Sequence, residues 1–269
     1  MRWPSQHVCF LKSDAQAAQG AGEVVCVGDG VEGLAPGDKV LLSFASCNAC
    51  GFCQSKCPAG CVAFNDVNFA RCRSAELKDK PGYVKLNDDG TAGASITGAF
   101  FGQSSFAKLA LANKLSVRAR CPARLGTTLT LFKQCVKVDP GTDLATMAPL
   151  GCGYQTGAGT VLNVLAPAKP KSIAVFGLGA VGMGALLAAG SINMPVIVAV
   201  DLLDSKLELA KQLGATHIVN ARDADAVEQI RKASGGWCYG VDCAVEASGS
   251  PRALKTAYDA LTNFGHVVR

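Results

Sequence analysis

From Ser172 to Val200 the chain runs for 29 residues without a charged side chain. A run that long and apolar fits a membrane-spanning helix or a segment buried inside a folded domain, and little else. Five glycines punctuate it (Gly177, Gly179, Gly182, Gly184 and Gly190), and Asn193-Met194-Pro195 interrupts it. Glycine and proline at that density break one long helix into shorter elements. The run therefore predicts a buried strand (Ser172–Phe176), a turn, a helix (Val181–Ile192) and a second strand (Val196–Val200) in a soluble protein, with no membrane span.

The same alternation continues downstream. Leu207, Leu209, Ala210 and Leu213 carry helical spacing over Ser205–Leu213. A short strand at His217–Val219, a helix at Asp225–Ala233, a strand at Val241–Ala247, a helix at Arg252–Leu261 and a strand at His266–Val268 follow. Strands alternating with helices imply βαβ units and a parallel sheet. Upstream the texture differs. Glu23–Val27 and Lys39–Leu42 read as strands separated by the turns Gly28-Asp29-Gly30 and Pro36-Gly37-Asp38, and residues 73–99 read as polar loop. The domain boundary is expected near residues 140–152.

Gly177-Leu-Gly179-Ala-Val-Gly182 sits between the first predicted strand and helix of the second domain. In that setting the G-x-G-x-x-G pattern has a mechanism. Gly177 permits the tight turn, Gly179 admits a pyrophosphate to the backbone, and Gly182 allows the helix to pack on the sheet. The phosphates then rest on the helix N-terminus. Asp201 closes the next strand, where a carboxylate would accept ribose hydroxyls and repel a 2′-phosphate, so NAD is favoured over NADP. Lys206 follows within reach of the same ribose or its phosphates.

Five cysteines crowd residues 47–61: Cys47, Cys50, Cys53, Cys57 and Cys61. Three readings compete. Cys47, Cys50, Cys53 and Cys61 could form a closed four-thiolate zinc site, which is structural because no position is left for substrate. Cys47, Cys50, Cys53 and Cys57-Pro58 match an iron–sulfur spacing, although such ferredoxins usually carry two runs. A disulfide knot is the third, disfavoured because no secretory signal follows Met1-Arg2-Trp3. The remaining thiols, scattered among 13 cysteines in all, suit a reducing, cytoplasmic setting. A net charge of +5 with both signs interspersed is too mild to imply nucleic acid.

Taken in order, the cysteine loop, Leu150-Gly-Cys152-Gly-Tyr-Gln-Thr156-Gly, the glycine motif and Asp201 resemble the zinc-containing medium-chain alcohol dehydrogenases, closest to the aryl- or benzyl-alcohol dehydrogenase type. Gly28–Val40, Phe101-Gly-Gln-Ser-Ser-Phe106 and Val241–Ser250 extend the likeness. The resemblance implies an α/β architecture: a partial GroES-like β-rich lobe over 20–145, then a Rossmann NAD-binding domain over 150–269. It implies Cys47, Cys50, Cys53 and Cys61 as structural-zinc ligands with Cys57 spare, Cys152 as a ligand of the catalytic zinc, and Thr156 beside the nicotinamide. Gly177, Gly179, Gly182, Asp201 and Lys206 would hold the rest of the cofactor. The implied activity is hydride transfer between an alcohol or aldehyde and NAD, with zinc polarising the alcohol oxygen, in a homo-oligomer.

The chain also departs from the family. Ala17-Ala18-Gln19 stands where the family has Gly-His-Glu, so the second catalytic-zinc ligand falls on Ala18. The first ligand has no place upstream, and the spacing of His7 and Cys9 does not replace it. Cys152 alone cannot hold a three-ligand zinc. Residues 117–134 read as an insert, residues 1–19 as non-family sequence, and Arg269 ends on a strand. The expectation is a mis-spliced or mis-predicted product, catalytically incomplete and of marginal stability. A non-catalytic NAD-binding remnant and an iron–sulfur carrier are the alternatives. A zinc-free quinone reductase is disfavoured, since that type needs neither the cysteine loop nor Cys152.

Overall fold

The computed structural model describes residues 7–11, 20–28, 31–55, 58–69, 83–86, 92–96, 100–102, 109–113, 135–166, 172–235 and 239–269. The chain divides into two compact units, Met1–Cys152 and Gly153–Arg269.

The first unit is built on an antiparallel sheet. Its strands are β1 (His7–Leu11), β2 (Gly20–Val27), β3 (Lys39–Leu42), β6 (Leu109–Asn113) and β7 (Cys135–Lys137), arranged β6-β1-β2-β3-β7. β1, from the segment expected to be foreign to the family, pairs with both β2 and β6. Val24, Val40, Leu42, Ala112 and Cys135 form the core of this sheet, each almost fully buried. Two short helices, α1 (Gly51–Gln54) and α2 (Phe64–Asn68), carry the cysteine segment, and α3 (Leu144–Met147) follows β7.

Residues 73–99 were expected to be loop throughout, and here the structure differs. β4 (Tyr83–Leu86) and β5 (Ala92–Ile96) pair as an antiparallel hairpin. The signal was present in the alternation Tyr83-Val-Lys-Leu86, followed by the turn-forming composition Asn87-Asp-Asp-Gly90. Residues 117–134, Cys57 and Ala17-Ala18-Gln19 lie outside the described residues.

The second unit is a five-stranded parallel sheet. β8 (Ser172–Phe176), β9 (Val196–Asp201), β10 (His217–Asn220), β11 (Val241–Glu246) and β12 (Leu261–Val268) take the order β10-β9-β8-β11-β12. The helices are α4 (Gly153–Gly159), α5 (Ala180–Ser191), α6 (Asp204–Gln212), α7 (Ala226–Ala233) and α8 (Pro251–Asp259).

Every residue of β8 is buried. Its side chains alternate between two cores, because successive strand residues point to opposite faces. Ile173 and Val175 pack with Leu186, Ala189 and Leu207 on one side, while Ala174 and Phe176 pack with Ile230, Ala257 and Ala260 on the other. A strand covered on both faces carries no charge, which accounts for the start of the uncharged run.

α5 accounts for its middle. It buries Met183, Ala185, Leu186, Ala188 and Ala189, and its glycines Gly182 and Gly184 are buried with them. At 12 residues it is about 18 Å long, too short for a bilayer core of about 30 Å. Among the described residues no helix is long and apolar enough to cross a membrane.

Candidate functional site: a four-thiolate centre and a glycine turn at a sheet crevice

The sulfurs of Cys47, Cys50, Cys53 and Cys61 converge in the first unit, all within 4.8 Å of one another. Local structure explains how. Asn48, at φ +56°, turns the chain sharply after Cys47, and its side-chain amide donates to Ser46 O at 2.7 Å. Cys50 then opens α1, which places Cys53 one turn later on the same face. A 3-10 turn at Pro58–Gly60 delivers Cys61. Cys53 and Cys61 are buried, whereas Cys47 and Cys50 are partly exposed.

This donor set fits a tetrahedral soft-metal ion. Zinc–thiolate bonds of about 2.3 Å require sulfurs roughly 3.8 Å apart. Cys47 Sγ lies 3.9 Å from Cys53 Sγ, and Cys50 Sγ lies 3.5 Å from it. All four thiols are free, so the group is not a disulfide knot in this structure. Backbone amides of Cys47 and Cys50 donate to Cys61 Sγ (3.3 Å) and Cys47 Sγ (3.4 Å), bonds that favour thiolates.

Backbone amides of Cys53 and Val62 pull the Cys50 thiol down to about 6. Burial pushes Cys53 up to about 12 and raises Cys61 as well. One sulfur is thus ready to meet a cation at neutral pH, and the buried pair would ionise only on binding it. Among the described residues the fourth sulfur of the group is Cys61, as the zinc spacing expects.

Cys152 ends the first unit, after a 3-10 turn (Ala148–Gly151) whose Ala148 packs on Ala21 and Leu41. It is half-buried, and burial raises its thiol. It does not join the four clustered sulfurs. Among the described residues no second group of three or more His, Cys, Asp or Glu side chains comes together.

In the second unit, the switch point of the sheet falls between β8 and β11, where chain order reverses. A crevice outside the carboxyl ends of the strands is the usual ligand site of such a sheet. Gly177 occupies that point at φ +83°, and a Cβ there would come within 2.8 Å of the Ser248 backbone. At Gly182 a Cβ would collide with Gly177 O at 1.9 Å, so α5 can approach the turn only through glycine. Gly179, by contrast, faces open space, and it caps α5 without any side-chain bond. The first amides of α5 therefore have no intrahelical acceptor, which makes an anion seat.

Asp201 sits at the end of β9 and is 9% exposed. Its Oδ2 accepts from Leu178 N (2.7 Å) inside the glycine turn, and its Oδ1 accepts from Leu202 N (2.8 Å) and Leu203 N (3.0 Å). Lys206 Nζ stands 3.8 Å from Oδ2. A carboxylate has about four acceptor positions, so one remains beside the turn. Asp201 is thus a brace of the turn as well as a candidate for ribose. Thr156 lies exposed on α4, and its carbonyl accepts from Thr160 Oγ1 at 2.9 Å.

Sequence reasoning missed Glu246, which is 3% exposed at the end of β11. Its Oε1 accepts from Ser248 N, Ser248 Oγ and Gly249 N, and so shapes the loop against which Gly177 packs. Its Oε2 faces Arg269 Nε at 3.6 Å. The available signal was an acid ending an apolar strand just before Ser248-Gly249.

Comparison with known proteins agrees with this layout. Residues 15–100 match the alcohol dehydrogenase GroES-like domain, and residues 180–269 match the zinc-binding dehydrogenase domain. A probable alcohol dehydrogenase of Pseudomonas sp. is 33% identical over 252 residues, covering 93% of this chain and 70% of that protein. Geraniol dehydrogenase of Castellaniella defragrans is 34% identical over 240 residues, covering 89% and 57%. The crystal structure of benzyl alcohol dehydrogenase from Acinetobacter calcoaceticus superposes with a TM-score of 0.74 at 32% identity, over 99% of this chain and 70% of that one. The chain thus spans from 57% to 70% of the length of these relatives. On the identity and extent of these matches, the chain belongs to the zinc-containing medium-chain alcohol dehydrogenase family.

Proposed function

We propose that this chain is an NAD-dependent alcohol dehydrogenase by descent, one that binds the dinucleotide and a structural zinc but lacks a complete catalytic zinc site. The observation that carries the cofactor reading is the glycine turn. Gly177 turns against Ser248, Gly179 leaves open space, and the free amides of α5 point to where a pyrophosphate would rest. Asp201 supports NAD over NADP, because a second phosphate on the ribose would meet its buried carboxylate.

The residues divide the work. The α5 amides would neutralise phosphate charge, Asp201 and Lys206 would orient the adenosine half, and Glu246 would hold the Ser248 loop in place. Thr156 lines up with the nicotinamide position by family likeness. Cys47, Cys50, Cys53 and Cys61 would hold zinc as a closed structural centre, leaving no position for substrate. A catalytic zinc, when bound, supplies Lewis-acid polarisation of the alcohol oxygen. Cys152 is the candidate ligand in this chain. Ala18, inside the stretch that matches the GroES-like domain, occupies the position of a second ligand and has no donor atom. The substrate class is a small alcohol or aldehyde, and a cytoplasmic homo-oligomer is the accompanying setting.

The test combines calorimetric titration with NAD, elemental zinc analysis and turnover of a panel of benzylic and allylic alcohols. The expected result is NAD binding, about one zinc per chain and no turnover. Two zincs with turnover would overturn the incompleteness. Absence of NAD binding would overturn the cofactor reading.

A further inference from the structure

We propose that Asn68 is the positioning residue of the metal centre. Its buried carboxamide fixes the backbone of Ala45 and thereby sets where Cys47 presents its sulfur. The inference rests on the zinc reading of the four thiolates given above.

Asn68 is the last residue of α2 and, at 1% exposed, is among the most deeply buried polar residues described. All its observed bonds end on backbone. Oδ1 accepts from Ala45 N at 2.8 Å, and Nδ2 donates to Ala45 O at 2.8 Å and to Phe64 O at 2.8 Å. The carboxamide therefore pairs with both the donor and the acceptor of one residue, as a neighbouring strand would. A single side chain does this across 23 residues of sequence.

Those 23 residues contain the whole centre. Ala45 is two residues before Cys47, and α2 begins three residues after Cys61, with Phe64 N bonded to Cys61 O at 3.0 Å. Asn68 thus closes the loop from outside both end sulfurs. Within the loop, Cys47 N donates to Cys61 Sγ at 3.3 Å, so the two ends also meet at the metal position. Ala45, Cys53, Cys61, Ala63 and Val67 form one buried cluster around this closure. Without the carboxamide, the buried amide and carbonyl of Ala45 lose the partners that place the start of the loop. Sulfur convergence would then rest on the remaining loop hydrogen bonds and on the metal, which must supply more of the ordering of the loop out of its own binding energy.

Two substitutions separate positioning from simple stability. Asn68→Ala removes all three bonds. Asn68→Asp keeps the shape and the acceptor but turns both donors into an oxygen facing two carbonyls. Zinc release from the purified full chain to a chromogenic chelator is expected to quicken about 10- to 100-fold in both variants. The d–d spectrum of the cobalt-substituted protein is expected to shift away from the tetrahedral pattern. Ser172→Ala serves as the control. It deletes a buried hydroxyl bonded to Asp242 in the other unit, so it lowers stability and leaves zinc release unchanged.

One measurement needs no variant. By linkage, a clamp that aids metal binding is itself tightened by the metal, so the Ala45 amide should exchange faster once zinc is removed. A wild-type chain that carries no zinc would remove the zinc reading and this proposal with it. A wild-type chain with about one zinc, whose variants release it at the wild-type rate, would overturn the proposal alone. So would an Ala45 amide equally protected with and without zinc.

Discussion

The two units solve the problem of placing functional groups in opposite ways. In the second, the glycine turn and Asp201 sit on the ends of strands that are buried on both faces, and packing places them. In the first, four sulfurs sit on a one-turn helix and on loop beside it and after a 3-10 turn, where no regular element is long enough to impose a position. Hydrogen bonds from Asn48, Asn68 and the cysteine amides hold that loop instead. A site on a sheet inherits the rigidity of its core, whereas a site on a loop must be tied point by point.

That contrast can be broken from either side. The largest effect is expected in the first unit. Cys53→Ser removes a buried sulfur 3.5 Å from Cys50 and 3.9 Å from Cys47. Zinc content should fall from about one per chain to near zero, with new proteolytic cleavage between residues 47 and 61. NAD affinity should stay at the wild-type level, and a parallel loss would show that the two sites are not independent.

Phe176→Ala tests the other side. Phe176 is 1% exposed at the heart of one core, and its truncation should cost about 3–5 kcal/mol in urea unfolding. Zinc should be retained. A cost below about 1 kcal/mol would mean that the sheet does not carry the stability assigned to it.

A smaller effect is expected at the turn. Gly177→Ala forces a side chain into the left-handed region and against Ser248, at a cost of about 1–3 kcal/mol. Since the strain falls on the cradle, NAD should bind at least about tenfold more weakly, read by titration calorimetry. Unchanged affinity would detach the turn from the cofactor.

The smallest concerns surface charge in the first unit. Asp38 accepts from Lys137 Nζ at 2.7 Å and from Ala35 N at 2.9 Å, and the lysine bond chiefly lowers its carboxyl. A lowered carboxyl contributes stability that is present above its unfolded value, about 3.9, and lost as pH falls through the lower folded value. Asp38→Asn should therefore flatten the acid limb of the urea midpoint below about pH 4. The midpoint at neutral pH should fall by the same small amount that the acid limb loses, small because Lys137 is half exposed.

What was legible in the sequence follows the same division. β8, β9 and β11 were visible to within a residue or two, because burial on both faces writes continuous apolar runs. α7 packs Val227, Ile230 and Ala233 against the sheet. β12 was read only at His266–Val268 although it begins at Leu261, since Asn263 and Gly265 hide the strand and a shift in pairing between Val241 and Cys243 accommodates it. The cysteines announced their clustering by spacing, which left Cys57 and Cys61 both open as the fourth member. Asn68 and Glu246 did not announce their roles, because each acts on backbone that only the fold brings within reach. The β4–β5 hairpin was missed for a different reason: its polar turn residues outweighed two short alternating runs.

The burial of β8 on both faces also has a history in time. β8 pairs with β9 some 24 residues later, but its other neighbour, β11, is 70 residues away, with Ile173 opposite Cys243. At roughly 5–20 residues per second, a ribosome takes several seconds to supply that partner. Through that interval the nascent chain presents its uncharged stretch with one strand edge bare. Exposed apolar surface with an unpaired strand edge is prone to aggregate, so the feature that makes the finished sheet rigid also makes the unfinished one vulnerable.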